Sequence, residues 1–348
     1  MSDPKDPGLT YRDAGVDIDA QDEGLRRIKA MLLATRTKGV LADLGSFGGM
    51  FAPDLTGVKE PVLVASCDGV GTKLKVAFMT GIHNTVGRDL VNHCVNDILV
   101  QGATPLFFLD YVATGRLSPS VLASIVEGIA TGCRENGCAL LGGETAEMPG
   151  FYVDGTYDLA GFIVGLVDKP SVIDGRSIRV GDILYGLPSA GLHTNGYSLA
   201  RKIFFEAAGK GPGDIVPGMP VTIGAALLAE HRSYLPALRG AIAAGLVSGL
   251  AHITGGGLTD NLPRILPEGA AARIERGTWP VLPVFSVLQR IGRVADDEMY
   301  RAFNMGVGMA CAIAPENAAA FETQLDAHGE KYYRIGAIVH GERNVIYA

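Results

Sequence analysis

The segment Asp68-Gly-Val-Gly-Thr-Lys73 places a carboxylate and an ammonium on either side of two glycines. Asp68 is a ligand type for a hard cation, and Lys73 is a partner type for a phosphate. A second carboxylate, Asp97, lies in the run RDLVNHCVNDILV at 88–100. Two carboxylates can hold Mg²⁺, which keeps several waters and bridges to substrate phosphates. In the same run Asp89, Asn92, His93, Asn96 and Asp97 recur at i, i+3, i+4, i+7 and i+8, a narrow polar stripe on an otherwise apolar helix. It is either a solvated face or a buried functional one. Solvated faces usually carry Lys and Glu, and this one carries only short Asp, Asn and His.

These residues need elements to position them. Strand-like runs at 62–65, 106–109 and 139–141 lead to Asp68, Asp110 and Glu144, and a fourth covers 159–167. Three acids at strand ends would form a site if they converge on one cleft. Gly69, Gly71, Thr72 and Lys73 then form the turn and start of a helix, whose free N–H groups favour anions. A helical pattern also begins at Asp19 and another spans 118–136. Lys29 falls off the apolar stripe of the first, as a solvated charge or a ligand contact. The loop 44–51, with Gly45, Gly48, Gly49 and two Phe, reads as a bulky turn or a flap over a ligand. His193, among small polar residues, is structural or a catalytic or phosphate contact. The triple glycine Gly255-Gly256-Gly257 precedes a helix expected at 261–266 and suits either a phosphate or a tight packing turn.

The first motif fits neither common nucleotide loop. A Walker loop needs Gly before its Lys, where this chain has Thr72, and the dinucleotide fingerprint needs Gly or Ala at position 74, which is Leu. The residues alone support a Mg-nucleotide site of an unusual type.

The chain has 348 residues, 47% of them hydrophobic, and a formal charge of −7. The length suggests two domains, with a boundary in the segment 168–175. The acidic balance disfavours nucleic acid and anionic membranes as main partners. Five cysteines without a C-x-x-C pair argue against a disulfide framework or a structural zinc. No apolar run reaches the roughly 20 residues needed to span a bilayer, and the start lacks a signal-peptide core, so a soluble cytoplasmic protein is expected.

Taken together, several blocks resemble the phosphoribosylformylglycinamidine cyclo-ligase (aminoimidazole ribonucleotide, AIR, synthetase) family. They are Tyr11-Arg-Asp-Ala-Gly-Val-Asp, Asp68-Gly-Val-Gly-Thr-Lys73, Val95-Asn-Asp-Ile-Leu-Val-Gln-Gly102, Pro105-Leu-Phe-Phe-Leu-Asp-Tyr111, Gly142-Gly-Glu-Thr-Ala-Glu-Met-Pro-Gly150, His193-Thr-Asn-Gly-Tyr-Ser198, Thr254-Gly-Gly-Gly257 and Met299-Tyr-Arg301. They occur in the family's order and cover nearly the whole chain.

The resemblance implies ATP-dependent closure of formylglycinamidine ribonucleotide to 5-aminoimidazole ribonucleotide, with ADP and phosphate released. It implies ATP and Mg²⁺, with room for a monovalent cation, and a homodimer. Asp68 and Asp97 would hold the metal. Lys29, the glycine loop (Gly45, Gly48, Gly49), Gly69, Gly71, Thr72, Lys73, Asn96, Gly255 and Gly256 would contact the nucleotide or phosphates. Lys73, Asp110, Glu144 and His193 would line a shared catalytic cleft. The implied fold is α/β of the α+β type in two domains, 1–170 and 171–348. The first has a four-stranded sheet that pairs in the dimer, and the second a mixed sheet with helices. Alternatives are a phosphate-transferring kinase or a selenophosphate synthetase-like enzyme of the same superfamily, or a non-catalytic nucleotide-binding protein.

Overall fold

The computed structural model describes residues 9–41 and 47–348. The first half contains α1 (Ile18–Leu33), β1 (Pro61–Gly69), α2 (Lys73–Thr80), α3 (Asn84–Leu99), β2 (Thr104–Thr114), α4 (Pro119–Asn136), β3 (Ala139–Glu147) and β4 (Tyr157–Asp168). The second half contributes β5 (Ile183–Pro188), β6 (Gly249–His252), β7 (Ala270–Ile274), β8 (Val307–Ile313), β9 (Tyr333–His340) and β10 (Val345–Tyr347), with several helices around them.

β1 to β4 form a four-stranded sheet in the order β1-β4-β2-β3, antiparallel except for the β2–β3 pair. The other six strands form a mixed sheet in the order β10-β7-β9-β5-β8-β6. Two α/β parts with one sheet each match the expected fold class. All four strand-like runs of the first half are strands, and each extends further than the sequence pattern suggests. Because β2 continues to Thr114 and β3 to Glu147, Asp110 and Glu144 sit inside strands and not at their ends. The helix expected at 261–266 begins earlier, at Gly257, and gives way to a 3₁₀ turn at Leu262.

α3 and α4 cover one face of the small sheet. Leu90, Cys94, Val95 and Ile98 of α3 pack with Ile125, Ile129 and Cys133 of α4 and with Phe108 and Ile163 below them, all buried. The two helices touch backbone to backbone. A Cβ at Gly87 would stand 2.2 Å from the Ile125 carbonyl oxygen, and one at Gly128 1.8 Å from that of Asn84. The opposite face of the sheet is apolar and open. Along its β1–β4 edge, Leu63, Ala65 and Cys67 lie opposite Leu166, Val164 and Phe162, with Leu63 66% and Phe162 42% exposed.

Close helix contact fixes where α3 presents its polar stripe. Replacing Gly128 by Ala should force α3 and α4 apart and lower the unfolding free energy by roughly 1–3 kcal/mol, read by urea denaturation. An unchanged midpoint would show that the contact does not set the helix spacing.

Candidate active site

The polar stripe of α3 is buried apart from half-buried Asp97, and each member is bonded to the second half of the chain. Asp89 Oδ1 accepts from the His231 N–H at 2.6 Å, and Asn92 donates to the His231 carbonyl at 2.7 Å. Asn96 donates to the Arg232 carbonyl at 2.9 Å and accepts from the Tyr234 N–H at 2.9 Å. His93 Nδ1 meets Thr194 Oγ1 at 2.5 Å, and Asp97 Oδ1 meets His252 Nδ1 at 2.8 Å. The solvated-face alternative is therefore excluded. The Asn96 amide is engaged by the 232–234 backbone.

Lys73 is likewise engaged within the protein. It opens α2 as expected, but its side chain is fully buried. Its ammonium pairs with Asp89 Oδ2 at 2.5 Å and donates to the carbonyls of His193 at 3.0 Å and Ala229 at 2.8 Å. Three acceptors satisfy its three donors, leaving none for a phosphate. Burial pulls the lysine down and pushes the aspartate up, each against the attraction of the other. Thr72, next to it, is exposed and its hydroxyl meets Ser198 Oγ at 3.1 Å.

His193 is also enclosed. Its ring stacks on His231 with centroids 4.1 Å apart, its Nε2 accepts from the Ala190 N–H at 3.2 Å, and burial holds its pKa well below 6.5. It lines neither of the cavities described next. The His193 carbonyl accepts from both Lys73 and the Tyr197 hydroxyl.

Two cavities hold most of the remaining candidates. The larger, of about 780 Å³, brings Lys29, Gly48, Gly49, Asp110 and Glu144 together against an apolar wall that includes Ile28 and Phe162. Gly45 lies outside the described residues. The second, of about 490 Å³, is lined by Ser66, Asp68, His93, Asp97, His252 and Arg264, with Thr254 at its margin. The three acids thus do not meet in one cavity. They are linked through the sheet, because Asp68 and Asp110 both lie opposite Gly161 of β4. Two strand spacings, roughly 10 Å, separate their backbones. Gly69 ends β1, Gly71 turns the chain with φ of 52°, and Gly256 has φ of 96° in the loop beside the second cavity. Gly255 packs against the Asn195 side chain.

In the second cavity Asp68 Oδ2 lies 2.7 Å from His93 Nε2, which is also 3.9 Å from Asp97 Oδ2. Asp97 accepts in addition from Ser66 Oγ at 3.0 Å. Burial works against both carboxylates, yet His93 holds Asp68 below the usual range and His252 does the same for Asp97. Both are therefore ionised at neutral pH. Asp110 differs. Burial pushes its carboxyl up to about 7, the range in which a group can exchange protons near neutrality.

His231, Arg232 and Tyr234 escape a reading of the sequence. Their one signal is the polar break Glu230-His-Arg-Ser233 between two apolar runs.

Family comparisons agree with this layout. The model for AIR synthase related protein, N-terminal domain, matches residues 55–167, and that for the C-terminal domain matches 179–348. A phosphoribosylformylglycinamidine cyclo-ligase of Desulfitobacterium hafniense is 51% identical over 98% of this chain and 99% of its own. One of Geobacter metallireducens is 52% identical over 96% of each. Among solved structures, thiamine-monophosphate kinase from Stenotrophomonas maltophilia K279a superposes with a TM-score of 0.64 at 17% identity, covering 93% of this chain and 95% of its own. Hydrogenase maturation protein HypE in complex with ATP gives 0.63 at 18%, covering 98% and 92%. These two share the fold. Two linked α/β parts with a polar cleft between them define an AIR synthase related protein. Within that class, the chain belongs to the phosphoribosylformylglycinamidine cyclo-ligase family.

Two expectations follow from the burial pattern. Replacing Lys73 by Met leaves Asp89 charged and unpaired and should cost roughly 3–5 kcal/mol of stability. A Lys73→Met/Asp89→Leu double variant should recover much of it. A Lys73→Met protein of normal stability with a raised KM for ATP would restore the phosphate role. For Asp110, the folded pKa lies above the ordinary 3.8. The stability held by its neutral form is complete below that value and is lost as pH rises through about 7. The advantage of Asp110→Asn over the parent in urea denaturation should therefore grow across this window and then level off. A difference independent of pH would contradict the shift.

Proposed function

We infer that the protein closes the imidazole ring of 5-aminoimidazole ribonucleotide from formylglycinamidine ribonucleotide, using ATP and releasing ADP and phosphate, in purine biosynthesis. The observation that carries this reading is about half identity to named cyclo-ligases over nearly the whole of both chains. ATP use is consistent with the ATP complex of HypE, a protein of the same fold.

The chemistry needs a poor leaving group made good. The formyl oxygen attacks the γ-phosphate, and the ribose-bearing nitrogen then attacks the activated carbon, expelling phosphate. Such transfer depends on positioning and charge neutralisation more than on covalent help from the protein.

In our reading the large cavity takes the nucleotide, with Lys29 toward its phosphates, Gly48 and Gly49 against its body, and an apolar wall for the base. Gly69, Gly71 and Thr72 border the phosphates from the other side. Asp68 and Asp97 fit Mg²⁺, being ionised oxygen donors facing a cavity with space for waters and phosphate oxygens. When bound, the ion would supply Lewis-acid charge neutralisation. Arg264 and the loop of Thr254, Gly255 and Gly256 suit the ribose 5′-phosphate. Asp110, opposite Gly143 of β3, is the group suited to take up a proton at neutral pH, and Glu144 lines the same cavity. The two parts divide near residue 170 in this reading, and a monovalent cation is an optional addition.

The open apolar face at Leu63, Cys67 and Phe162 supports a homodimer formed through the small sheets, since apolar patches of this kind mark interaction surfaces. No helix among the described residues is long and apolar enough to cross a membrane, in keeping with a cytoplasmic enzyme.

Incubation with Mg-ATP and formylglycinamidine ribonucleotide should yield ADP, free phosphate and the aminoimidazole in equal amounts. A kinase would give a phosphorylated acceptor and no free phosphate, and a binding module would leave ATP intact. Asp97→Asn should lower kcat by about 100-fold or more while circular dichroism stays unchanged. Near-normal turnover would remove Asp97 from the metal site.

A further inference from the structure

The second cavity contains more than a carboxylate pair. The donor atoms of His93, Asp97 and His252 all lie within 4.8 Å of one another. Asp68 Oδ2 is 2.7 Å from His93 Nε2, and Asp97 Oδ1 is 2.8 Å from His252 Nδ1. At present these atoms share ring N–H protons. For one ion to replace both protons at the roughly 2.0–2.2 Å that imidazole nitrogen and carboxylate oxygen take around zinc, each bonded pair must open by less than about 1 Å while the wider His93–Asp97 spacing closes.

We propose that His93, His252 and Asp97, with Asp68 as fourth donor, form a binding site for a divalent transition ion of the zinc class.

Donor chemistry supports this ion over Mg²⁺ for the four-residue set. Mg²⁺ prefers an octahedron of oxygens, whereas imidazole suits zinc, cobalt and copper. Mg²⁺ can use the two carboxylates from the cavity side, while a transition ion would sit deeper, between carboxylates and rings. The rings are also aimed in advance. The far nitrogen of His93 meets Thr194 Oγ1 at 2.5 Å, and that of His252 meets His231 Nε2 at 3.0 Å. A proton on the far nitrogen of His93 would point at Thr194 Oγ1, which also meets Asn195 Nδ2 and His231 Nδ1 at 3.3 Å, and one on the far nitrogen of His252 at His231 Nε2, which Asn96 Nδ2 also reaches at 3.2 Å; the near nitrogens are then free to ligate. Partners of this kind fix ring orientation and tautomer at metal centres. Their surroundings are rigid, with the side chains of His93 and His252 only 4% and 3% exposed, while Asp68 and Asp97 open toward the cavity at 40% and 28%. That gives the ion an entry path. The site shares Asp68 and Asp97 with the Mg²⁺ reading, so the two ions would exclude each other, and a transition ion would act as an inhibitor of the Mg-dependent reaction.

The test measures binding without turnover, so its failure is distinct from failure of the cyclo-ligase reading. Metal-free full-length protein is titrated with Co²⁺. One ion per chain should bind and produce visible d–d absorption. His93→Ala and His252→Ala should each weaken binding at least about 10-fold, as should Thr194→Val, which removes the hydroxyl that meets both His93 and His231. His328→Ala, on the exposed surface, should leave it unchanged. If a buried substitution prevents folding, pulsed EPR of the Cu²⁺-loaded wild-type protein decides instead, and couplings from two imidazoles support the site. Absence of d–d absorption, binding indifferent to folded His93 and His252 variants, or a Cu²⁺ spectrum without imidazole coupling overturns it.

Discussion

The structure depends on one constraint: the polar stripe of α3 is buried and must find its partners in the other half of the chain. A buried amide or carboxylate without a hydrogen bond costs about 1–3 kcal/mol, more when charged. Asp89, Asn92, His93, Asn96 and Asp97 avoid that cost only if the segment 229–234, the 193–194 turn and the end of β6 sit against α3. The apolar side of the same helix is packed on the small sheet and on α4. One helix therefore faces both halves, and its position fixes how they meet.

The ends of the stripe do different work. At one end Asp89 pairs with Lys73 in complete burial. Such a pair adds little net stability, but losing either partner is costly, so it acts as a register mark between α2, α3 and the His193 turn. At the other end Asp97 is partly open and shares a cavity with Asp68. The same helix thus carries an interior lock and a solvent-facing carboxylate two turns apart. By fixing the register of α3, the lock holds that carboxylate in place beside Asp68.

Much of this is legible in the sequence because it is local. The strands at 62–65, 106–109, 139–141 and 159–167, the helix over 118–136 and the period of the stripe all follow from residue spacing. Asp68 stands out beside its two glycines, and Asp97 as the last carboxylate of the stripe. What spacing cannot supply is direction. Lys73 and His193 have the residue types of a phosphate and proton site, yet both turn inward, and two of the three acceptors that draw Lys73 lie more than a hundred positions away. Asp110 and Glu144 carry no mark showing that their strands continue past them. His231 has no motif at all, and its importance follows only from the helix it covers.

The central claim is that the formyl oxygen of the substrate is activated by phosphorylation before ring closure. The most direct measurement uses substrate labelled with ¹⁸O at the formyl oxygen, with mass analysis of the phosphate released in one turnover. Activation by phosphorylation predicts one labelled oxygen in each phosphate. Unlabelled phosphate, with the label in water, would mean that the oxygen leaves by another route and would contradict it.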